Sequence, residues 1–244
     1  MRLFPCFLYE KCVVFSIGIR CSFCDYLEKK ISMEKIGLFP LNVVVFPESS
    51  IPLHIFEPRY KQLVALSVDE EKDFGINLVD SSRLYQTGCT VSVSEVSRRY
   101  PDGRMDVIVT GKQRYTLRSL REGEEPYYVG IVDYFIDETD EVIDTLLRQE
   151  CMNQYNEIIE LVYPGAAEEY MLDVTYSGFA SFFMAQKAGL DVLRKQELLE
   201  FRSENRRLEM LHDFMEKLLP DLRDKRRVQD VIMSDGYIPN KPKA

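Results

Sequence analysis

Two histidines, six cysteines and several acidic clusters are the side chains of this 244-residue sequence able to attack, take a proton or hold a metal. Their spacing argues against each use. His54 stands between Leu53 and Ile55 in an alternating run and reads as a packed or half-exposed strand residue, while His212 falls in the other half of the chain. A Cys–His nucleophile would need Cys89 or Cys151 brought to one of them, and no sequence feature does so. Cys21-x-x-Cys24 has zinc-ligand spacing but no second pair to complete a site. Asp69-Glu70-Glu71 and Glu122-Gly123-Glu124-Glu125 lack calcium-loop spacing and read as solvated turns. Gly111-Lys112 is the nearest approach to a phosphate-cradling G-x-x-x-x-G-K-[ST], yet Gln113 follows it and Asp106 stands where the first glycine belongs. These residues predict no catalytic group, no metal and no cofactor.

Binding residues are a different matter. In Glu57-Pro58-Arg59-Tyr60, Arg59 and Tyr60 offer a guanidinium fork and an aromatic plate, and they are the candidate contacts to a peptide or partner. The alternative is a brace: Arg59 paired with a carboxylate and the Tyr60 ring buried between a helix and a barrel. The surrounding prolines favour the brace, because they define a backbone feature and not a cleft. Arg223-Asp224-Lys225-Arg226-Arg227 is the one basic run. It reads as a cationic helix end favoured by the helix dipole, with RNA contact as the alternative.

The elements that would carry these residues fall into two halves. From Ile36 to Asp137 the pattern is β. Pro40, Pro47, Pro52 and Pro58 punctuate short apolar runs, as in bent strands at the edge or closure of a small barrel. Pro58 suits the first position of a helix over 58–66, with Glu57 beside its N-terminus. Thr90–Val96 alternates, Tyr100-Pro101-Asp102-Gly103 is a turn, and Arg104–Val109 is its partner strand. Gly111 is expected to break the ladder, and Tyr127–Ile136 supplies the last strand. Beyond Asp137 the period becomes helical, with acidic residues 137–141 at a helix start and Val142, Ile143, Leu146, Leu147, Tyr155 and Ile158 on one stripe. Further helices are expected over 177–187, 191–201 and from the Ser203 cap to Pro220.

Composition is that of a soluble globular chain, 45% hydrophobic and 29% charged. Net charge is −9, and residues 1–32 carry +2, so the remainder carries −11. That acidity disfavours phosphate-backbone binding, and no nucleic-acid partner is expected. Residues 1–32 stand apart and hold four of the six cysteines. Their apolar run 12–19 is too short to span a bilayer and lacks a convincing cleavage site. The reading adopted is a start placed too early, with translation beginning at Met33. Two scattered cysteines then fit a reducing, cytoplasmic setting without a disulfide framework or a membrane partner.

The run LFPLNVVVFP, followed by IPLHIFEPRY, resembles the opening of the N-terminal substrate-binding domain of Lon-type ATP-dependent proteases. Gly-Cys-Thr-Val, Pro-Asp-Gly-Arg and Gly-Lys-Gln-Arg-Tyr (residues 88–91, 101–104 and 111–115) resemble its later strands, and Phe179–Glu209 its helices. One departure is Glu48-Ser49-Ser50, where many relatives carry glycine. The resemblance implies an α+β fold: a PUA-like antiparallel β-barrel over 33–137 followed by an α-helical bundle over 138–222. Beyond it, Ser234, Gly236, Pro239 and Pro242 mark residues 223–244 as a mobile tail. The resemblance also implies a non-catalytic protein that binds unfolded or exposed peptide segments or one protein partner, without the ATPase and serine–lysine peptidase domains of full-length Lon.

Overall fold

The computed structural model describes residues 33–235 apart from 139, 174 and 177; residues 1–32, and with them the expectation for Met33 and for Cys21 and Cys24, lie outside the described residues. Six strands, β1 (Glu34–Leu41), β2 (Ser50–Ile55), β3 (Phe74–Asp80), β4 (Arg83–Arg99), β5 (Met105–Arg121) and β6 (Tyr128–Tyr134), precede the bundle, with helix α1 (Pro58–Glu70) between β2 and β3. The sheet order is β2-β5-β4-β3-β1-β6, and an added β5–β6 pairing closes it into a barrel. All pairings are antiparallel except β1–β3, which is parallel because α1 carries the chain across between them.

Local chemistry accounts for most of these elements. Along β1, Ile36 and Leu38 face Tyr115, Leu117 and Val132, while Phe39 stacks on Tyr60 of α1 with centroids 3.9 Å apart. Helix α1 opens on Pro58 and buries Tyr60, Leu63, Val64 and Ser67, one face at helical spacing. Strands β4 and β5 are each 17 residues long and bulge at three places. The bulges bend one long hairpin within the single sheet: its base closes the barrel through β5–β6, and its tip pairs with the proline-bearing edge strand β2. Gly111 does not end the strand: it pairs with Val91 inside β5, and the register of the ladder shifts between it and Arg114.

The turn after β1 shows the effect of the departure at Glu48. Its φ is +64°, a left-handed conformation in which a Cβ is strained. Glu48→Gly is expected to raise stability by roughly 0.5–1 kcal/mol, read as a higher midpoint in thermal unfolding. An unchanged or lower midpoint would mean that the Glu48 side chain compensates.

The helices are α2 (Thr145–Val162), α3 (Ala167–Tyr170), α4 (Ala180–Lys187), α5 (Val192–Glu200) and α6 (Glu204–Asp235). Helix α2 starts later than the acidic run predicts. Its cap is Asp144, whose carboxylate accepts from the backbone N–H groups of Leu146 and Leu147. Val142 and Ile143 therefore lie before the helix, and Val142 and Leu146 are exposed at 87% and 76% where a buried stripe was expected. Helix α6 runs through Pro220, so the segment expected as a tail from 223 is helical as far as Asp235. Pro220 removes one donor and crowds the Glu216 carbonyl, but Glu216 is exposed and water can serve that group. Arg223 holds the extension to α2 through Glu157 at 2.6 and 2.8 Å.

Candidate functional site

Barrel and bundle meet at a seam built around four buried charges. Arg207 of α6 is fully buried, and Arg114 of β5, Glu204 of α6 and Asp137 after β6 are nearly so. The two arginines and two carboxylates balance. Asp137 accepts from both guanidiniums, one contact being Arg207 Nη1 to Oδ1 at 3.0 Å. Glu204 accepts from Arg207 Nη2 at 2.7 Å and from the Ser181 hydroxyl at 2.6 Å. The remaining donors reach the Leu199 and Phe201 carbonyls and, from Arg207 Nε, the Ser181 hydroxyl oxygen at 2.8 Å, and both guanidiniums lie over the Phe182 ring. Burial alone would push the Asp137 carboxyl up, but the two guanidiniums outweigh it and hold it below the ordinary carboxylate range. The network is a rigid, neutral floor.

Above that floor opens a seam groove of about 510 Å³, walled by Pro47, Ile143, Phe179 and Phe135. Phe179 is 45% exposed and Ile143 38%, so the groove presents large apolar side chains to solvent, with Val142 and Leu146 adjacent in the chain. A second groove of about 870 Å³ lies between the C-terminal end of α1 and the β1–β6 face, with Ile36, Leu63, Leu66, Tyr127 and Val129 in its floor. Gln113, Phe135 and Ile136 line both grooves, which adjoin at these residues.

A family model described as the ATP-dependent protease La (LON) substrate-binding domain matches residues 35–217. The chain belongs to this family. The Lon proteases of Dictyoglomus thermophilum and Hydrogenovibrio crunogenus (its Lon protease 1) are 23% and 27% identical over 83% and 84% of the chain. The chain spans about a quarter of their length, 27% and 26%. Among solved structures, a Lon N-terminal domain protein from Xanthomonas campestris aligns at a TM-score of 0.59 and 22% identity over 73% of this chain and 97% of its own. The N-terminal domain of a Mycobacterium avium complex Lon protease aligns at 0.59 and 14%, covering 75% of this chain and 98% of that one. The expected fold class, barrel then bundle, is the one observed.

Within this Lon domain the motif Gly111-Lys112-Gln113-Arg114-Tyr115 has physical content. Gly111 admits a passing turn, Arg114 enters the ion network, and Tyr115 donates its buried hydroxyl to Asn77 at 2.5 Å. Arg59 pairs with Glu57 at 2.9 Å, and its guanidinium lies 4.5 Å over Tyr60 and 5.4 Å over Tyr128. The Tyr60 ring is 3% exposed, so its faces are occupied by Phe39 and Arg59.

The other chemical side chains are dispersed. His54 meets Asp106 at 2.5 Å on the hairpin, and Tyr100 donates to the other Asp106 oxygen at 2.8 Å. That hydrogen bond pushes the Tyr100 phenol up, away from a nucleophilic phenolate. Burial raises the Cys89 and Cys151 thiols to about 12. Among the described residues the grouped metal-type donors are His212, Asp213 and Glu216 on α6. The carboxylates nearest His212, on Glu150 and Asp213, stand at 3.9 Å, too far to fix its tautomer as a metal ligand requires. The basic run is internally compensated, with Arg226 facing Asp230 and Arg227 facing Asp224. No described helix is long and apolar enough to cross a membrane.

Sequence reasoning missed the seam residues. Asp137 reads as part of an acidic helix start and Ile143 as part of an apolar stripe, and no spacing singles out Glu204 or Arg207. One signal was present: Val142 and Ile143 precede Asp144, a helix cap as good as Asp137 or Asp140.

Proposed function

We propose that this chain is a non-catalytic protein-binding unit that takes exposed peptide segments of other proteins along the track formed by the two grooves. The observation that carries the reading is the exposure of Phe179 and Ile143 over a floor fixed by the buried ion network. Apolar anchors on a preorganised surface lose little on binding and exclude water from the contact. The barrel (33–137) and the bundle (138–222) supply the two banks of the seam groove, and the larger groove lies within the barrel half. Arg59 and Tyr60 act at one remove, by holding α1 against β1 where it walls the larger groove. No bond is broken in this role: the purified chain is expected to bind unfolded casein and leave it intact with or without ATP, and cleavage would overturn the reading. The cytoplasmic placement expected from the cysteines belongs to the same reading.

A peptide array provides the test. Many unrelated apolar-aromatic peptides are expected to be captured, and Phe179→Ala is expected to weaken capture roughly ten-fold while leaving the circular dichroism spectrum unchanged. Silence on the array together with one partner recovered in stoichiometric amount would instead assign the chain to a fixed assembly.

A further inference from the structure

The rim of the larger groove is strongly one-sided in charge. Around it stand Glu34, Glu70, Glu71, Asp73 and Glu125 against Lys35 and Lys72. Both lysines are already engaged, Lys35 with Glu124 at 2.6 Å and Lys72 with Glu70 at 2.5 Å. Glu34, Glu71, Asp73 and Glu125 carry no ion pair among the described residues. Where the track continues to the seam it adds exposed Glu48 and Glu138 against exposed Lys112, so the one-sided charge belongs to the larger groove. The floor beneath the rim is apolar, as described above.

An apolar floor under an acidic rim is the shape of surface that long basic side chains match. The methylene stem of lysine or arginine lies on apolar surface while its charged head stays at the solvent edge. The rim field is already felt within the groove. Burial and then Glu125 and Glu70 push the Tyr127 phenol up, and burial and then Glu34 do the same to Tyr134. The groove volume, 870 Å³, lies toward the upper end of the range ligand pockets occupy, about 300–1,000 Å³.

From this complementarity we infer that the larger groove selects cationic-apolar segments of client proteins: lysine or arginine interleaved with large apolar residues, bound against the acidic rim. The selection rests on the peptide-binding reading above and narrows it to one class. Client choice then depends on charge pattern as well as exposure, so an apolar segment flanked by acidic residues is refused by like-charge repulsion.

Three fluorescein-labelled peptides test the selection on the full chain. They share one apolar-aromatic core and carry lysine and arginine, serine and glutamine, or aspartate and glutamate between the apolar positions. Fluorescence anisotropy is expected to rank the cationic peptide tightest, with its advantage shrinking as salt rises. Reversing Glu71, Asp73 and Glu125 to lysine together is expected to weaken the cationic peptide about ten-fold, the combined effect of three exposed charge pairs, and to strengthen the acidic one. Asp213→Lys, on α6, keeps both affinities and controls for the acidity of the whole chain. Equal affinity for all three peptides, or equal effects of the groove and α6 reversals, overturns the charge selection while the peptide-binding reading stands. Absence of binding by every peptide overturns both.

Discussion

Replacing Arg207 with alanine is expected to lower the stability of the fold by about 3–5 kcal/mol, the cost of leaving a buried charge without its partner. The change strands Glu204, which is 1% exposed and has no other guanidinium within reach, and opens a void beside Phe182. Asp137 retains Arg114. Removing the stranded charge as well, in Arg207→Met with Glu204→Gln, is expected to recover part of the loss, because a neutral pair needs no counterion. Urea unfolding followed by circular dichroism measures both. A loss under about 1 kcal/mol for Arg207→Ala would mean that water reaches the seam and screens it. The same network sets an acid limit. The carboxyl of Asp137 is held below its unfolded range, so the folded state binds fewer protons there. Its contribution is complete above about pH 4, the ordinary aspartate value, and is lost as the pH falls through the folded value. Asp137→Asn is therefore expected to be less stable at neutral pH and to lose less on acidification.

Gly111→Ala is the second large effect, expected at about 2–4 kcal/mol. A Cβ at this position would stand 2.0 Å from the Phe46 carbonyl oxygen and 2.9 Å from its carbon, and both are backbone atoms that cannot swing aside. Gly111 also binds the turn on both sides: its N–H donates to the Ser49 carbonyl at 2.8 Å, and its carbonyl accepts from the Glu48 N–H at 2.9 Å. Pushing the turn away breaks these bonds and disturbs Phe46, whose ring stacks on Phe182 beneath the two guanidiniums. Pro47 and Glu48 of the same turn line the seam groove, so peptide capture is expected to fall together with stability. Gly165→Ala is the control. Nothing lies within 4 Å of that position, and its change is expected to stay within about 0.5 kcal/mol. Equal unfolding midpoints for the two alanine variants would remove the close-approach argument.

Much of the fold is readable residue by residue because its causes are local. Pro58 marks the first turn of α1, Gly103 at φ +80° makes the hairpin turn, and the spacing of Cys151, Tyr155, Ile158 and Ile159 places one face of α2 inward. The site is less readable. Gly111 looks like a strand breaker from its neighbours, and only the turn from Phe46 to Ser49, more than sixty positions earlier, explains it. Leu146 looks like a member of the α2 stripe, and only the Asp144 cap and the position of the bundle leave it in solvent.

By itself the sequence determined the order of elements, the change from β to helical period near Asp137, the absence of a recognisable catalytic spacing, and the family resemblance. Those are properties of short windows, in which propensity, proline geometry and apolar periodicity act over a few residues. The tertiary structure alone decided which charges are buried and which apolar side chains are left out. Arg114, Asp137, Ser181, Glu204 and Arg207 come from distant segments, and burying any one of them is favourable only when the others arrive together. The desolvation of a charge depends on every element packed around it, and no window of sequence contains that information.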